Sequence, residues 1–328
     1  MPLISVIIPA YNAEKTIKET VQSVLNQSLS DLEVIIINDA SQDATVEIVN
    51  SIFDPRIQVF SYPQAGANVS RNRGLLHSKG NYIAFLDADD VWVADKLACQ
   101  FNALQENPQA AVAYSWTNSI DEAGEFLRRG SYISANGNVY AKLLLLDFIE
   151  SGSNPLIRRD ALEAVGGFDE SLLAAQDWDM WLRLAARYHF VAVPQPQILY
   201  RVSPHSMSSN ILRQELASLT VIERTFAQTP PALQYLKTHS LANRYKCLTF
   251  MALQRNPERN KGLAAAKFLG RAIQHDPALL RARVLVRVLL KIAVMILLPP
   301  QQAKLLLNRV ERLSNIDAFL GYLYLKDS

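Results

Sequence analysis

Short apolar runs alternate with segments of helical spacing through the first half of the chain. Ser5-Val6-Ile7-Ile8 is near-continuously apolar, and Pro9-Ala10-Tyr11-Asn12 follows it. Ile17, Val21, Val24 and Leu25 then recur at helical spacing, with Asn12 or Ala13 as the predicted helix start. Residues 33–37 predict a second strand, closed by Asn38-Asp39, and Asp43 precedes a second helix through Val46 and Val49. Residues 57–60 predict a third strand and residues 68–77 a third helix. The run Tyr82-Ile83-Ala84-Phe85-Leu86 stops abruptly at Asp87-Ala88-Asp89-Asp90. Strands apolar on both faces, with helices between them, are the pattern of a parallel sheet with right-handed crossovers. Ligands of such sheets bind beyond the carboxyl ends of the strands, so residues 9–12, Asp39 and residues 87–90 fall on one rim.

Residues 107–202 are more mixed. Residues 111–115 predict a strand, 137–149 contain an apolar helix, 154–157 are extended, and 159–165 form a short helix. Gly166-Gly167-Phe168-Asp169 is a turn, and residues 177–188 a helix with Trp178, Trp181, Leu182 and Ala185 at helical spacing. Residues 190–193 and 198–202 predict two short strands, separated by Pro194 and Pro196.

From about residue 207 helical periodicity dominates. Ala242, Tyr245, Leu248 and Ala252 form one stripe, and Leu263, Ala266, Leu269 and Ile273 another, so a helical hairpin is expected. The chain thus divides into an α/β domain over residues 1–206 and a helical extension over 207–328. Residues 284–298 are apolar except Arg287 and Lys291, and Arg283, Arg287 and Lys291 recur every fourth residue as one basic stripe. Such a helix is about 22 Å long, too short for a hydrocarbon core of about 30 Å. The segment 279–298 suits either lying in a membrane surface or packing into a core or oligomer interface.

The 328 residues are 49% apolar and 20% charged, enough for a sizeable core. A net charge of +2 gives no global case for a nucleic-acid partner. Cys99 and Cys247 are far apart, which fits a reduced, cytoplasmic compartment. Met1-Pro2-Leu3-Ile4-Ser5-Val6 has no basic n-region and does not read as a signal peptide, and no window is long and apolar enough to span a membrane.

Three carboxylates at the end of a buried strand repel one another and lose hydration, so they call for a compensating positive charge. Asp87-Ala88-Asp89-Asp90 fits a divalent metal carrying a diphosphate, and equally an acidic loop capping the next helix. Asp39 suits accepting hydrogen bonds from a base or ribose, whereas Ser41 and Asp43 suit capping. Asp177 starts a helix, where it either caps or takes a proton from an attacking hydroxyl.

These segments in this order resemble a family 2 glycosyltransferase of GT-A fold: residues 5–12, Ile37-Asn38-Asp39-Ala40-Ser41-Gln42-Asp43, Arg71-Asn72-Arg73-Gly74, Asp87-Ala88-Asp89-Asp90, Gly166-Gly167-Phe168-Asp169 and Gln176-Asp177. The resemblance covers roughly residues 1–205. It implies a Rossmann-like, mostly parallel sheet flanked by helices, with an all-helical C-terminal extension. It implies an inverting, metal-dependent, hexosyltransferase-type enzyme that moves a sugar from a nucleotide-diphosphate sugar, with UDP favoured, to a hydroxyl on a glycan or lipid-linked glycan, in envelope or exopolysaccharide synthesis. Pro9, Tyr11, Asp39 and Arg71 would line the base, Asp87 would approach the ribose, and Asp89 would coordinate Mg²⁺ or Mn²⁺. Asp177 would be the general base, although Gln176 stands where many relatives carry an acidic residue. Tyr200-Arg201 with His205 resembles a late motif whose histidine closes over the diphosphate or completes the metal shell. The expected location is the cytoplasm, peripheral on the inner face of the membrane. The alternative is an inactive nucleotide-sugar-binding scaffold or sensor whose C-terminal helices recruit partners.

Overall fold

In the computed structural model, residues 1–203, 210–254, 257–310 and 315–325 are described. The chain forms two compact units. The first holds Met1–Leu143 and the segment from Asp147 to the end of the sheet, and the second holds Leu144–Leu146 with the C-terminal helices.

The first unit is built on nine strands in the order β3-β2-β1-β4-β8-β6-β9-β5, with β7 paired to β6. The strands β1 (Ile4–Ala10), β2 (Leu32–Asn38), β3 (Ile57–Ser61) and β4 (Tyr82–Phe85) are mutually parallel. Their near-continuous apolar sequences reflect burial on both faces by α1 (Ile17–Leu25), α2 (Thr45–Asn50) and α3 (Ala67–His77). Helix α1 begins four to five residues later than its sequence suggests. Asn12 takes a left-handed φ of 49°, which directs residues 12–16 into a turn.

Parallel pairing ends at β4. The strand β8 (Leu156–Arg158) runs antiparallel to both β4 and β6 (Ala110–Ile120), so the sheet is mixed rather than uniformly parallel. The strand β5 (Val91–Trp92) also pairs antiparallel, with β9, and β7 (Phe126–Arg129) antiparallel with β6. The two strands expected around Pro194 and Pro196 are one continuous strand, β9 (His189–Arg201), parallel to β6. The prolines are tolerated because the register shifts at Ser115–Trp116–Thr117 opposite them. Helices α4 (Lys96–Glu106), α6 (Arg159–Val165) and α7 (Gln176–Ala185), with α5 (Tyr140–Leu145) up to Leu143, complete the unit.

The second unit contains α8 (Ile211–Gln228), α9 (Leu236–Gln254), α10 (Arg259–His275), α11 (Arg283–Leu297) and α12 (Pro300–Arg309). Helix α9 buries the expected Ala242, Tyr245, Leu248 and Ala252. On α10 the buried face is Gly262, Ala265, Phe268, Leu269 and Ala272, and Leu263 points outward, one residue out of the expected phase. The basic stripe is also broken. Arg283 and Arg287 are exposed, but Lys291 is buried, and burial lowers its pKa against the opposing influence of Asp317. Four-residue steps advance about 40° around a helix, which carries the third position off the face of the first. Among the described residues no helix is long and apolar enough to cross a membrane.

Candidate functional site

Because β1, β2 and β4 are parallel, the turns that follow them open on one rim. Pro9 is the partly exposed penultimate residue of β1, and Tyr11, half exposed, stands at its end. The next turn is locked to it: Asn12 N–H donates to Ser41 Oγ (3.1 Å), and Gln42 N–H to Asn12 Oδ1 (2.8 Å). Asp43 accepts from Glu14 N–H (3.0 Å) and Thr45 N–H (3.0 Å), so Ser41 and Asp43 serve loop structure. Asp39 is buried, and its two oxygens accept from Ala65 N–H and Gly66 N–H, each at 2.8 Å, while Arg73 Nη1 lies at 3.9 Å. The neighbouring Ala40 holds a left-handed φ of 62°. That costs a Cβ-bearing residue about 1–2 kcal/mol and fixes how Asp39 leaves the strand.

The acidic cluster divides into three environments. Asp90 is fully buried. It accepts from Ser153 Oγ (2.6 Å) and Arg201 N–H (2.9 Å), and burial followed by Asp89 and Asp87 pushes its carboxyl well above the usual range. It is an internal anchor and not the helix cap its position suggests, since α4 starts only at Lys96. Asp87 pairs with Arg71 Nη2 at 2.6 Å, and its N–H donates to Ser153 Oγ (3.0 Å). Asp89 receives no hydrogen bond from another residue's side chain among the described residues. Burial, then Asp87, raises its pKa to about 6 against the opposing Arg201.

Arg71 pairs with the strand-end and helix-start carboxylates. Its side chain is buried, with Nη2 on Asp87, Nη1 at 3.8 Å from Asp177 Oδ1, and the guanidinium 5.1 Å from the Phe168 ring centroid. Gly74, one turn on, makes this possible. A Cβ there would collide with Ile7 of β1, so only glycine lets α3 lie this close to the sheet. The turn at Gly166-Gly167 is tied down by Arg183, which pairs with Asp179 (2.8 Å) and donates to the Val165 and Gly167 carbonyls. Asn72 and Asn68 of α3 bind the next residues through the Phe168, Asp169 and Leu172 carbonyls. Helix α7 therefore starts against α3. Ala175 precedes it in a left-handed conformation (φ 54°), which turns Gln176 and Asp177 inward.

Among the described residues Asp177 Oδ1 is buried without a hydrogen-bond partner, while 22% of the side chain stays open, so Oδ2 is the oxygen that meets solvent. Burial raises its pKa to about 6, against Arg71 and assisted by Asp87. Gly152 lies directly beneath it, where a Cβ would stand 2.8 Å from Oδ1.

Sequence reasoning named Arg201 only as part of the late motif and assigned no role to Ser153 or Gly152. Arg201 is buried, with Nε on the Asp89 carbonyl (2.9 Å), Nη1 on the carbonyls of Asp121 and Glu122, and Nη2 on Glu19 (2.6 Å). It joins the acidic loop to α1 and to the turn after β6. His205 lies outside the described residues.

The sequence matches the profile described as "Glycosyltransferase like family 2" over residues 5–252. The chain belongs to that family. It is 26% identical over 283 residues to an uncharacterized glycosyltransferase of Rickettsia felis, covering 84% of this chain and 46% of that protein. The chain thus spans less than half the length of that relative. It is 34% identical over 214 residues to a putative teichuronic acid biosynthesis glycosyltransferase, TuaG, of Bacillus subtilis, covering 64% of this chain and 82% of that one. Its fold is that of the mannosyltransferase PcManGT from Pyrobaculum calidifontis, solved with GDP-Man and Mn²⁺, at a TM-score of 0.59 and 18% identity, over 98% of this chain and 87% of that chain. The first unit is therefore a GT-A fold, followed by helices.

Among the described residues no cluster of three or more His, Cys, Asp or Glu side chains is arranged to hold a metal. A divalent ion that arrives on a diphosphate needs only one or two protein carboxylates, because phosphate oxygens and water fill the other positions. Asp89 fits that need: it is partly buried, receives no side-chain donor among the described residues, and is repelled by the neighbouring carboxylate of Asp87.

Proposed function

We propose that the chain is an inverting glycosyltransferase that uses a nucleotide-diphosphate sugar, with Asp177 as general base. The observation that carries this reading is the Asp87–Arg71–Asp177 chain, which brings the strand-end carboxylates and the helix-start carboxylate to one place. Tyr11 and Pro9 offer a partly exposed surface for the base, and Asp87, partly open beside Arg71, faces the ribose. Asp89 would hold Mg²⁺ or Mn²⁺, which when bound offsets charge on the departing diphosphate.

The acceptor hydroxyl donates its hydrogen bond to Asp177 Oδ2. Its oxygen forms the bond to the anomeric carbon as the bond from that carbon to the diphosphate oxygen breaks. The electron pair leaves with the nucleoside diphosphate, and the hydroxyl proton passes to Asp177. Attack from the side opposite the leaving group inverts the anomeric centre. The acceptor class proposed is a growing glycan or lipid-linked glycan of an envelope polysaccharide, supported by the likeness to TuaG. UDP is the favoured nucleotide from the family resemblance.

Two variants test these assignments. Asp89→Ala is expected to weaken Mn²⁺-dependent binding of the nucleotide about a hundredfold by calorimetry. Chelation of the wild type should do the same, and a UDP-against-GDP panel names the base. Unchanged binding in both would remove Asp89 from the metal site. Gly152→Ala forces Asp177 to move, and an error near 1 Å costs about a hundredfold in rate. Steady-state kinetics should show that loss in kcat with the donor KM nearly unchanged. Full kcat in this variant would show that the position of Asp177 does not matter.

A further inference from the structure

We infer that the outward face of α11 rests on the surface of an anionic lipid bilayer. Helix α11 is apolar on both sides. Val284, Leu285, Val288, Ile292 and Met295 pack into the core of the second unit. Val286, Leu289, Leu290 and Leu297 point outward and are between 48% and 77% exposed. A helix on the surface of a water-soluble unit normally turns polar residues outward, and this one does not. At about 100° per residue, Val286, Leu290 and Leu297 lie within about 40° of one another, with Leu289 about 60° further round. The exposed Arg283 and Arg287 line the opposite flank of that apolar strip.

The charge pattern identifies the occupant. Between Asp276 and Glu311 the sequence contains no Asp or Glu, yet it exposes Arg281, Arg283, Arg287, Lys304 and Arg309, with Lys291 alone turned inward. A second copy docked face to face would set these arginines against their own counterparts, with no carboxylate from the segment to neutralise them. Lipid phosphates supply the missing charge, and acyl chains take the leucines. Helix α12 follows with Leu305 and Lys304 exposed beside each other in sequence, the same pairing of apolar and basic surface. A helix about 22 Å long cannot cross the bilayer, so it lies in the plane of the interface.

The test is flotation of the full chain with vesicles of phosphatidylcholine alone and of phosphatidylcholine with about 30% phosphatidylglycerol. The protein should float only with the anionic vesicles, and added salt should release it. Arg283→Gln with Arg287→Gln should weaken partition about thirtyfold. Leu289→Glu with Leu290→Glu should abolish it, while nucleotide binding by both variants stays at wild-type strength. Failure to float with anionic vesicles overturns the inference, as does flotation indifferent to these substitutions. A dimer in sedimentation that the same substitutions dissociate would assign the face to a second copy instead.

Discussion

Asp177→Asn should lower kcat by about three orders of magnitude while nucleotide binding changes less than about twofold. The amide keeps the shape of the side chain and its place over Gly152, but it takes no proton. The variant should not be less stable. Burial raises the pKa of Asp177 from its ordinary value of 3.8 to about 6, so the folded state favours the protonated form. Its stabilising contribution is complete below the unfolded pKa and is lost as pH rises through about 6, so at pH 7 to 8 the ionised carboxylate is a burden that asparagine relieves. The wild-type profile should carry the same signature in reverse. A base works only when deprotonated, so kcat/KM should fall about tenfold per pH unit below about 6, and this limb should vanish in the residual activity of Asp177→Asn. A fully active variant, or one with an unchanged acidic limb, would move the base elsewhere.

Arg201→Met should destabilise the protein by roughly 2–4 kcal/mol, because it strips the donors from three part-buried carbonyls, while the largely exposed Glu19 is left to water. Thermal unfolding should fall by on the order of 10 °C. Turnover should drop even at temperatures where the variant stays folded, since the Asp89 carbonyl loses its clamp and the loop its fixed path. Arg201→Lys should not restore the wild type. One ammonium cannot reach Glu19, Asp89 and the Asp121–Glu122 turn in three directions at once. An Arg201→Met protein that melts like the wild type and turns over normally would reduce this arginine to a surface ornament.

The sequence carries the parallel half of the sheet because burial on both faces writes itself as apolar runs, and it carries the rim because strands of that kind end together. Its ordered motifs identify the family. What it cannot show is which acidic residue faces where. Asp87, Asp89 and Asp90 are close together and chemically alike, yet one pairs with Arg71, one meets no side-chain donor among the described residues, and one disappears under Ser153. That division is made by residues distant in sequence: Arg201 lies 111 positions from Asp90. The left-handed Ala40 and Ala175 are equally silent, since alanine announces no turn. Pro194 and Pro196 mislead for a related reason. A proline breaks a strand only where its N–H is needed, and the irregular register of β9 against β6 removes that need.

The same two prolines bear on how the molecule avoids sticking to itself. Beyond β6, the flank of β9 is covered by β5 only at Ile198 and Leu199. The rest of that long margin would offer unpaired amides to any passing extended chain. Phe190 is closed by mutual hydrogen bonds with Gly137, and Ala192 N–H donates to Asn136 Oδ1 (2.7 Å). At the next two alternate positions, 194 and 196, there is no amide hydrogen to offer. Four positions along this margin, 190, 192, 194 and 196, thus offer no free amide hydrogen, which leaves the longest strand of the sheet a poor template for strand addition.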